Sequence, residues 1–276
     1  MYPRNNRLKE QLAQGKPIHG MFIQTGSEEL LEIAGLVGYD FVVIDCEHGS
    51  IDLACAIRLI RAAEAVQVTP LVRVPNHDAT FIGKVIEGGA MGVYVPDVST
   101  AEQMRAIVAA VKYKEGDNGG GRGACPGIRA AGHQSDDWGR FFRWSNANTL
   151  VVPLIETVEG IANFDEILQV PGIDWVGIGT FDLSHALGYE GSRDRPELDR
   201  IYEDVTGKLR RAGITFSRYP MPLKQPFDPG DPTQSPEYFR KDKEKWMKLG
   251  ARVFMMGSDR GLCKQAFYQR LAPMLD

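Results

Sequence analysis

Eight short runs rich in β-branched and aromatic residues, separated by longer stretches of helical periodicity, constrain this chain more than any other feature. They fall at residues 19–24, 41–45, 71–74, 92–96, 150–156, 175–179, 214–217 and 252–256. Several are apolar on successive residues, as in Phe41-Val42-Val43-Ile44 and Val151-Val152-Pro153-Leu154-Ile155. A half-solvated strand alternates apolar with polar residues, so unbroken runs mark strands covered on both faces. Between them, residues 53–61 place apolar side chains at i, i+3, i+4 and i+7, and residues 101–111 repeat the pattern behind Ser99 or Thr100 as N-cap. Residues 196–212 and 236–249 follow suit, and Gly38, Gly89, Gly213 and Gly250 stand where helices need a C′ glycine. Strand–helix alternation argues for a parallel sheet. Eight units in 276 residues favour one domain, 1–276, folded as a closed (β/α)8 TIM barrel, an architecture of about 250 residues. An open doubly wound sheet is the alternative, but no G-x-G-x-x-G or P-loop sequence follows any strand.

Two regions break the rhythm: residues 114–137, with Gly119-Gly120-Gly121-Arg122-Gly123, and residues 220–235, rich in Pro, Asp and Gln. Both read as long loops, which in compact domains are lids, binding loops or disordered segments. The formal net charge of −4 lacks the basic excess that a phosphate backbone demands, so nucleic acid is not an expected partner. Cys46, Cys55, Cys125 and Cys263 are scattered without C-x-x-C or zinc-finger spacing and read as free thiols of a reducing compartment. No apolar run of signal-peptide type follows Met1-Tyr2-Pro3-Arg4. No stretch approaches the roughly eighteen apolar residues that cross a bilayer. A cytoplasmic protein is expected.

A parallel barrel builds its site from strand C-termini and the loops after them. Ionisable groups at strand ends therefore carry weight. The second strand runs into Asp45-Cys46-Glu47-His48, the third carries Arg73 before Pro75, the fifth ends in Glu156, and the sixth leads through Gly179-Thr180-Phe181 to Asp182. Glu156 and Asp182 are hard oxygen donors suited to Mg²⁺ or Mn²⁺. His48 suits a proton-transfer role near neutral pH, and Arg73 suits a carboxylate or a developing enolate oxygen. Each also has a purely structural reading. Glu156 suits a helix start, Asp182 an N-cap, Arg73 an ion pair, His48 a loop position and Asp45 an orienting acceptor. Arg122 follows three glycines, so its backbone has room to approach a ligand or simply to turn. Arg129 and His133 reach substrate only if their loop folds over the cavity. His19 sits at the presumed bottom of the barrel and reads as structural. No lysine ends an apolar strand, which disfavours Schiff-base chemistry.

With these residues in order, the chain resembles the HpcH/HpaI aldolase family, the metal-dependent class II pyruvate aldolases typified by 2,4-dihydroxyhept-2-enedioate and 2-keto-3-deoxy-L-rhamnonate aldolases. The likeness spans residues 20–187 and 249–259. Phe41 to His48, Leu71-Val72-Arg73-Val74-Pro75, Gly121-Arg122-Gly123, Ile155-Glu156-Thr157 and Ile178 to Ser184 carry it. It implies a (β/α)8 barrel that forms a pyruvate-type enolate from a 4-hydroxy-2-oxo acid and releases an aldehyde. Glu156 and Asp182 are then the ligands of Mg²⁺, Mn²⁺ or Co²⁺. Arg73 is the enolate-stabilising cation, and His48 is the acid–base group acting through a water. Asp45 and Glu47 support them. Gly179, Thr180, Phe181 and Arg122 fall in substrate-binding segments. Glu87 stands where some members carry an Asp that partners the catalytic His across a subunit interface. A homo-oligomer, trimer or hexamer, is implied, with the C-terminal helical segment 259–275 swapped between neighbours. The chain also departs from the pattern. Phe181 replaces a small residue, Leu154 replaces a Gln, Met21-Phe22 stands for the first-strand Trp, and 220–235 is longer than usual. Those changes leave a second reading open, a same-fold enolate enzyme that acts as a C–C synthase or oxo-acid decarboxylase.

Overall fold

A computed structural model describes residues 5–192, 195–219 and 235–275. Eight parallel strands close into a barrel in sequence order, β1 (Ile18–Ile23), β2 (Phe41–Asp45), β3 (Thr69–Arg73), β4 (Gly92–Val95), β5 (Leu150–Ile155), β6 (Trp175–Ile178), β7 (Thr215–Arg218) and β8 (Val253–Ser258). Strand ends differ from the hydropathy reading by a residue or two, because ladder hydrogen bonds and not side-chain polarity end a strand. Thus β8 continues to Ser258, while Gln24, Glu156 and Gly179 lie just outside their strands. The segment 220–234, read as most of a long loop, lies outside the described residues.

The unbroken apolar runs are explained by two packed layers. One face of each strand points into the barrel, where Phe41, Val43, Leu71, Tyr94, Val152, Trp175 and Met255 pack. The other face carries Val42, Ile44, Val72, Val93, Val151 and Val176 against the surrounding helices. Those helices are α2 (Glu28–Val37), α3 (Leu53–Ala65), α4 (Ala79–Glu87), α5 (Ala101–Val111), α6 (Trp138–Asn148), α7 (Val158–Ala162), α8 (Phe164–Leu168), α9 (Thr180–Ala186), α10 (Pro196–Ala212), α11 (Pro236–Leu249) and α12 (Asp259–Leu271). Their N-caps, Ser27, Asp52, Asp78, Thr100, Asp137, Thr157, Ser235 and Ser258, accept backbone N–H groups left free by the first helical turn.

A short helix that periodicity did not reveal, α1 (Arg7–Ala13), lies across the strand N-termini. Fully buried Leu8 joins the inner barrel cluster, and Asn6 both caps α1 and bonds Asn148 and the Met91 carbonyl. His19 lies at this end, beside Asp40 and stacked on Phe254, as expected of a structural histidine. With the bottom closed and the interior filled, the open end is the rim of strand C-termini. Among the described residues no helix is long and apolar enough to cross a membrane.

Candidate active site

Strand register creates the first half of the rim. Asp45 and Arg73 are cross-strand partners at the ends of β2 and β3. Asp45 is fully buried, and Arg73 grips it with two parallel bonds, Nε to Oδ1 at 2.9 Å and Nη2 to Oδ2 at 2.6 Å. The Gln24 amide donates to Oδ2 at 2.8 Å, and the backbone N–H groups of Glu47 and His48 donate to Oδ1. Burial alone would raise the Asp45 pKa, but the Arg73 fork and these donors outweigh it and hold the carboxyl below its ordinary range. Burial likewise opposes the Arg73 charge, and Asp45 and Glu47 more than restore it. The third nitrogen, Nη1, lies 3.1 Å from Glu47 Oε2, and the guanidinium sits 4.8 Å from the centroid of the Phe22 ring. Arg73 is thus both the ion-pair partner that the structural reading allowed and a cation fixed at the barrel mouth.

The imidazole of His48 is more than half exposed, with Nε2 3.7 Å from Glu47 Oε2. Its backbone is clamped from both sides, the N–H by Asp45 and the carbonyl by Arg260 Nη1 at 3.3 Å. A fixed main chain under a solvent-facing ring suits a proton carrier at a cavity edge. Burial raises the Glu47 pKa despite Arg73.

The other half comes from β5 and β6. Glu156 follows β5, is 6% exposed, and accepts the Asp97 N–H at 3.0 Å. It is not the helix cap: Thr157 holds that position for α7. Burial, opposed by the Asp97 N–H and reinforced by the charges of Asp182, Glu47 and Asp97, pushes the Glu156 carboxyl up to about 7. Gly179 explains how the group fits, since a Cβ there would lie 2.0 Å from Glu156 Oε2. Gly179 caps α9, Thr180 is buried at its start, and Asp182 lies exposed in the first turn without capping it, close enough for its charge to reach Glu156. Phe181 is 60% exposed, and its ring packs against the turn at Gly191.

Among the described residues, no three His, Cys, Asp or Glu side chains converge into a metal site made by protein alone. Glu156 and Asp182 supply two hard donors in a patch where the charges of Asp182, Glu47 and Asp97 add to the burial that raises Glu156. Such a patch fits a divalent cation that takes its remaining ligands from substrate and water.

Two of the expected residues do not join this cluster within the chain. Arg122 is buried at the opposite end, its backbone bonded to the Lys112 carbonyl, Nη1 3.3 Å from Ser145 Oγ and its guanidinium over the Tyr113 ring. Glu87 ends α4 and contributes its charge to Arg122 and Tyr113. Barrel helices run antiparallel to the strands, so their C-termini gather at the bottom rim. Arg129 is also held there, paired with Glu64 and bonded to the Gly88 carbonyl. The same strand-end criterion that found Arg73 and Glu156 also reaches residues not singled out from sequence. After β1 it finds Gln24, which orients Asp45. After β7 it finds Tyr219, whose ring stacks on Phe22 with centroids 6.2 Å apart and whose hydroxyl feels the charges of Arg73 and Glu156.

Residues 19–225 match the profile of HpcH/HpaI aldolase/citrate lyase. The chain is 30% identical to a 2-keto-3-deoxy-L-rhamnonate aldolase of Klebsiella pneumoniae subsp. pneumoniae, over 97% of this chain and 92% of that one. It is 35% identical to a hydroxypyruvate/pyruvate aldolase of Agrobacterium fabrum, over 75% and 77%. The crystal structure of the citrate synthase SbnG superposes with a TM-score of 0.82 at 30% identity, covering 97% of this chain and 96% of that one.

Proposed function

This chain belongs to the HpcH/HpaI aldolase/citrate lyase family and is an enzyme of the lyase class, and from that premise we propose a divalent-metal-dependent aldolase that cleaves a 4-hydroxy-2-oxo acid to a pyruvate-type enolate and an aldehyde. The observation that carries the reading is the pairing of opposites across one rim. A cation locked by Asp45 and Glu47 shares the barrel mouth with Glu156, a buried carboxyl that burial and the charge of Asp182 push up.

Glu156 and Asp182 would hold Mg²⁺, Mn²⁺ or Co²⁺, which supplies Lewis-acid polarisation of a 2-oxo acid. Arg73 keeps its charge because Asp45 is ionised and bidentate, so it can stabilise the enolate oxygen without itself moving. The His48 ring takes the proton of the 4-hydroxyl, directly or through a water, as the carbon–carbon bond breaks. Gly179 and Thr180, at the start of α9 beside Glu156, bound the space for the substrate carboxylate. Release of pyruvate from 4-hydroxy-2-oxo acids, assayed before and after chelation, tests the reading. Pyruvate release that stops with EDTA and returns with Mn²⁺ is expected, and release indifferent to chelation would remove the metal from the account.

The 30% identity to a citrate synthase favours one second reading, an enolate enzyme of this fold that joins carbons or decarboxylates an oxo acid. Oxaloacetate turnover exceeding aldol cleavage would select it. The same proposal extends to assembly as a homo-oligomer, trimer or hexamer. Phe267, Leu271, Met274 and Leu275 on and after α12 are 73%, 56%, 80% and 61% exposed, an apolar surface suited to exchange with a neighbouring subunit.

A further inference from the structure

The loop that carries His48 is closed by a tight turn after β2. The Gly49 N–H bonds the Asp45 carbonyl at 3.1 Å, and a Cβ on Gly49 would lie 2.1 Å from that oxygen, so only glycine fits the turn. The turn sets the local path of the main chain at His48 but does not grip the ring. The ionic neighbour of the imidazole, Glu47 Oε2, lies 3.7 Å away, beyond hydrogen-bond length. Where the ring points is therefore decided by its backbone, and by whatever holds that backbone against the rest of the rim.

One side chain from the far end of the sequence does so. Arg260, the second residue of α12, sends Nη1 to the His48 carbonyl at 3.3 Å, and Nη2 to the Gln24 carbonyl at 2.8 Å and the Ser50 hydroxyl at 3.1 Å. Ser50 in turn gives its N–H to the Gln24 carbonyl at 3.2 Å. A single planar guanidinium thus joins the segment after β1 to the residues on both sides of Gly49. Its donors go to two carbonyls and a hydroxyl, so the contact is one of shape rather than of charge pairing, and a compact ammonium would not span all three acceptors. The base of α12 is itself fixed. The buried Asp259 carboxylate accepts the Arg260 N–H at 2.8 Å, Ser258 caps the helix, and α12 packs on its own barrel through β1 and β8.

We propose that Arg260 is a positioning residue for His48, holding the turn in the place from which the ring meets the 4-hydroxyl of the substrate. The inference rests on the aldolase reading given above. Asp45 fixes the N–H side of His48 from within the barrel, and Arg260 fixes the carbonyl side from α12. Without the second hold the turn is free to pivot about its Asp45 end. A displacement of a reacting group by about 1 Å costs on the order of 10²-fold in rate, so a partly freed ring is expected to lose part of that. The hydrogen bonds of the Arg260 guanidinium reach Gln24, His48 and Ser50 and not Glu156, Asp182 or Arg73. Its effect therefore falls on proton transfer and not on metal binding.

The test is steady-state cleavage of 4-hydroxy-2-oxo acids of graded length by purified full-length enzyme with Mn²⁺, in H2O and in D2O. Arg260→Ala is expected to lower kcat about tenfold, with KM and Mn²⁺ affinity within about twofold of the wild type. The ratio of kcat in H2O to kcat in D2O should rise, because transfer of the hydroxyl proton to His48 becomes the slow step. A variant that merely unfolds in part loses the same share in both solvents and leaves that ratio alone. Added to His48→Asn, Arg260→Ala should cost nothing further, since the ring it positions is gone. A kcat within about twofold of the wild type, an unchanged solvent ratio, or losses that multiply in the double variant overturns the positioning role. A wild type that cleaves none of the acids overturns the aldolase reading itself, and the role of Arg260 with it.

Discussion

Glu156 links the stability of the fold to pH. Its folded pKa is raised from 4.5 to about 7 in the metal-free protein. A raised acid contributes its stability below the unfolded pKa and loses it as pH climbs through the folded one. Metal-free enzyme should therefore weaken between about pH 5 and pH 8, by on the order of 3 kcal/mol from this group. Glu156→Gln removes the charge and keeps an acceptor for the Asp97 N–H, so thermal melts in EDTA at pH 8 should show the variant more stable than the wild type. Equal melting temperatures would contradict the assignment. Metal affinity should rise with pH through the same range, since binding displaces the Glu156 proton, and calorimetry in buffers of different ionisation heat should detect that proton. Arg73→Lys retains a charge but not the fork. Turnover should fall by about 10²–10³ with metal binding kept, and a variant with normal kcat would show that the bidentate grip on Asp45 has no catalytic consequence.

At the scale of elements, the rim is tied together from the far end of the chain. Asp259, buried at the start of α12, accepts from the backbone N–H groups of Gln24 at 2.9 Å and Thr25 at 3.1 Å, and from the Thr25 hydroxyl at 2.5 Å. Gln24 in turn holds Asp45, so α12 positions Arg73 through two intermediaries. Asp259→Asn should lower kcat several-fold and also cost stability, roughly the 1–3 kcal/mol of one weakened buried acceptor. Gln24→Ala isolates the relay, because it leaves the α12 contacts intact. A kcat loss in the first without any in the second would place the effect in stability alone. The strands were legible because burial on both faces leaves unbroken apolar runs, and Glu156 and Arg73 were legible because ions rarely end such runs without cause. Other features were not. Helix α1 is held by Asn6 and Leu8 through contacts some 80 to 140 residues away in sequence, which no local period encodes. Tyr219 was passed over because the reading of β7 stopped at Ser217, one residue before the strand ends and two before the side chain that turns inward.

For the whole molecule, the two ends of the barrel divide the expected residues. His48, Arg73, Glu156 and Asp182 meet at the rim, whereas Glu87 and Arg122 share the bottom. A role for Glu87 beside His48 therefore requires a second copy of the chain. The apolar surface of α12 suggests how copies meet, and Phe267→Ser with Leu271→Ser should lower the mass measured by light scattering from an oligomer toward a single chain. A wild type that already runs as a monomer would dispose of the assembly proposal. The central claim, that this rim makes an enolate from a 2-oxo acid, does not depend on the aldehyde. Its most direct test is proton–deuterium exchange at the methyl group of pyruvate, with no acceptor present. The account predicts exchange well above the buffer rate with Mg²⁺, lost on chelation and lost in Glu156→Ala; exchange at the buffer rate with metal supplied, or exchange unchanged by chelation, would contradict it.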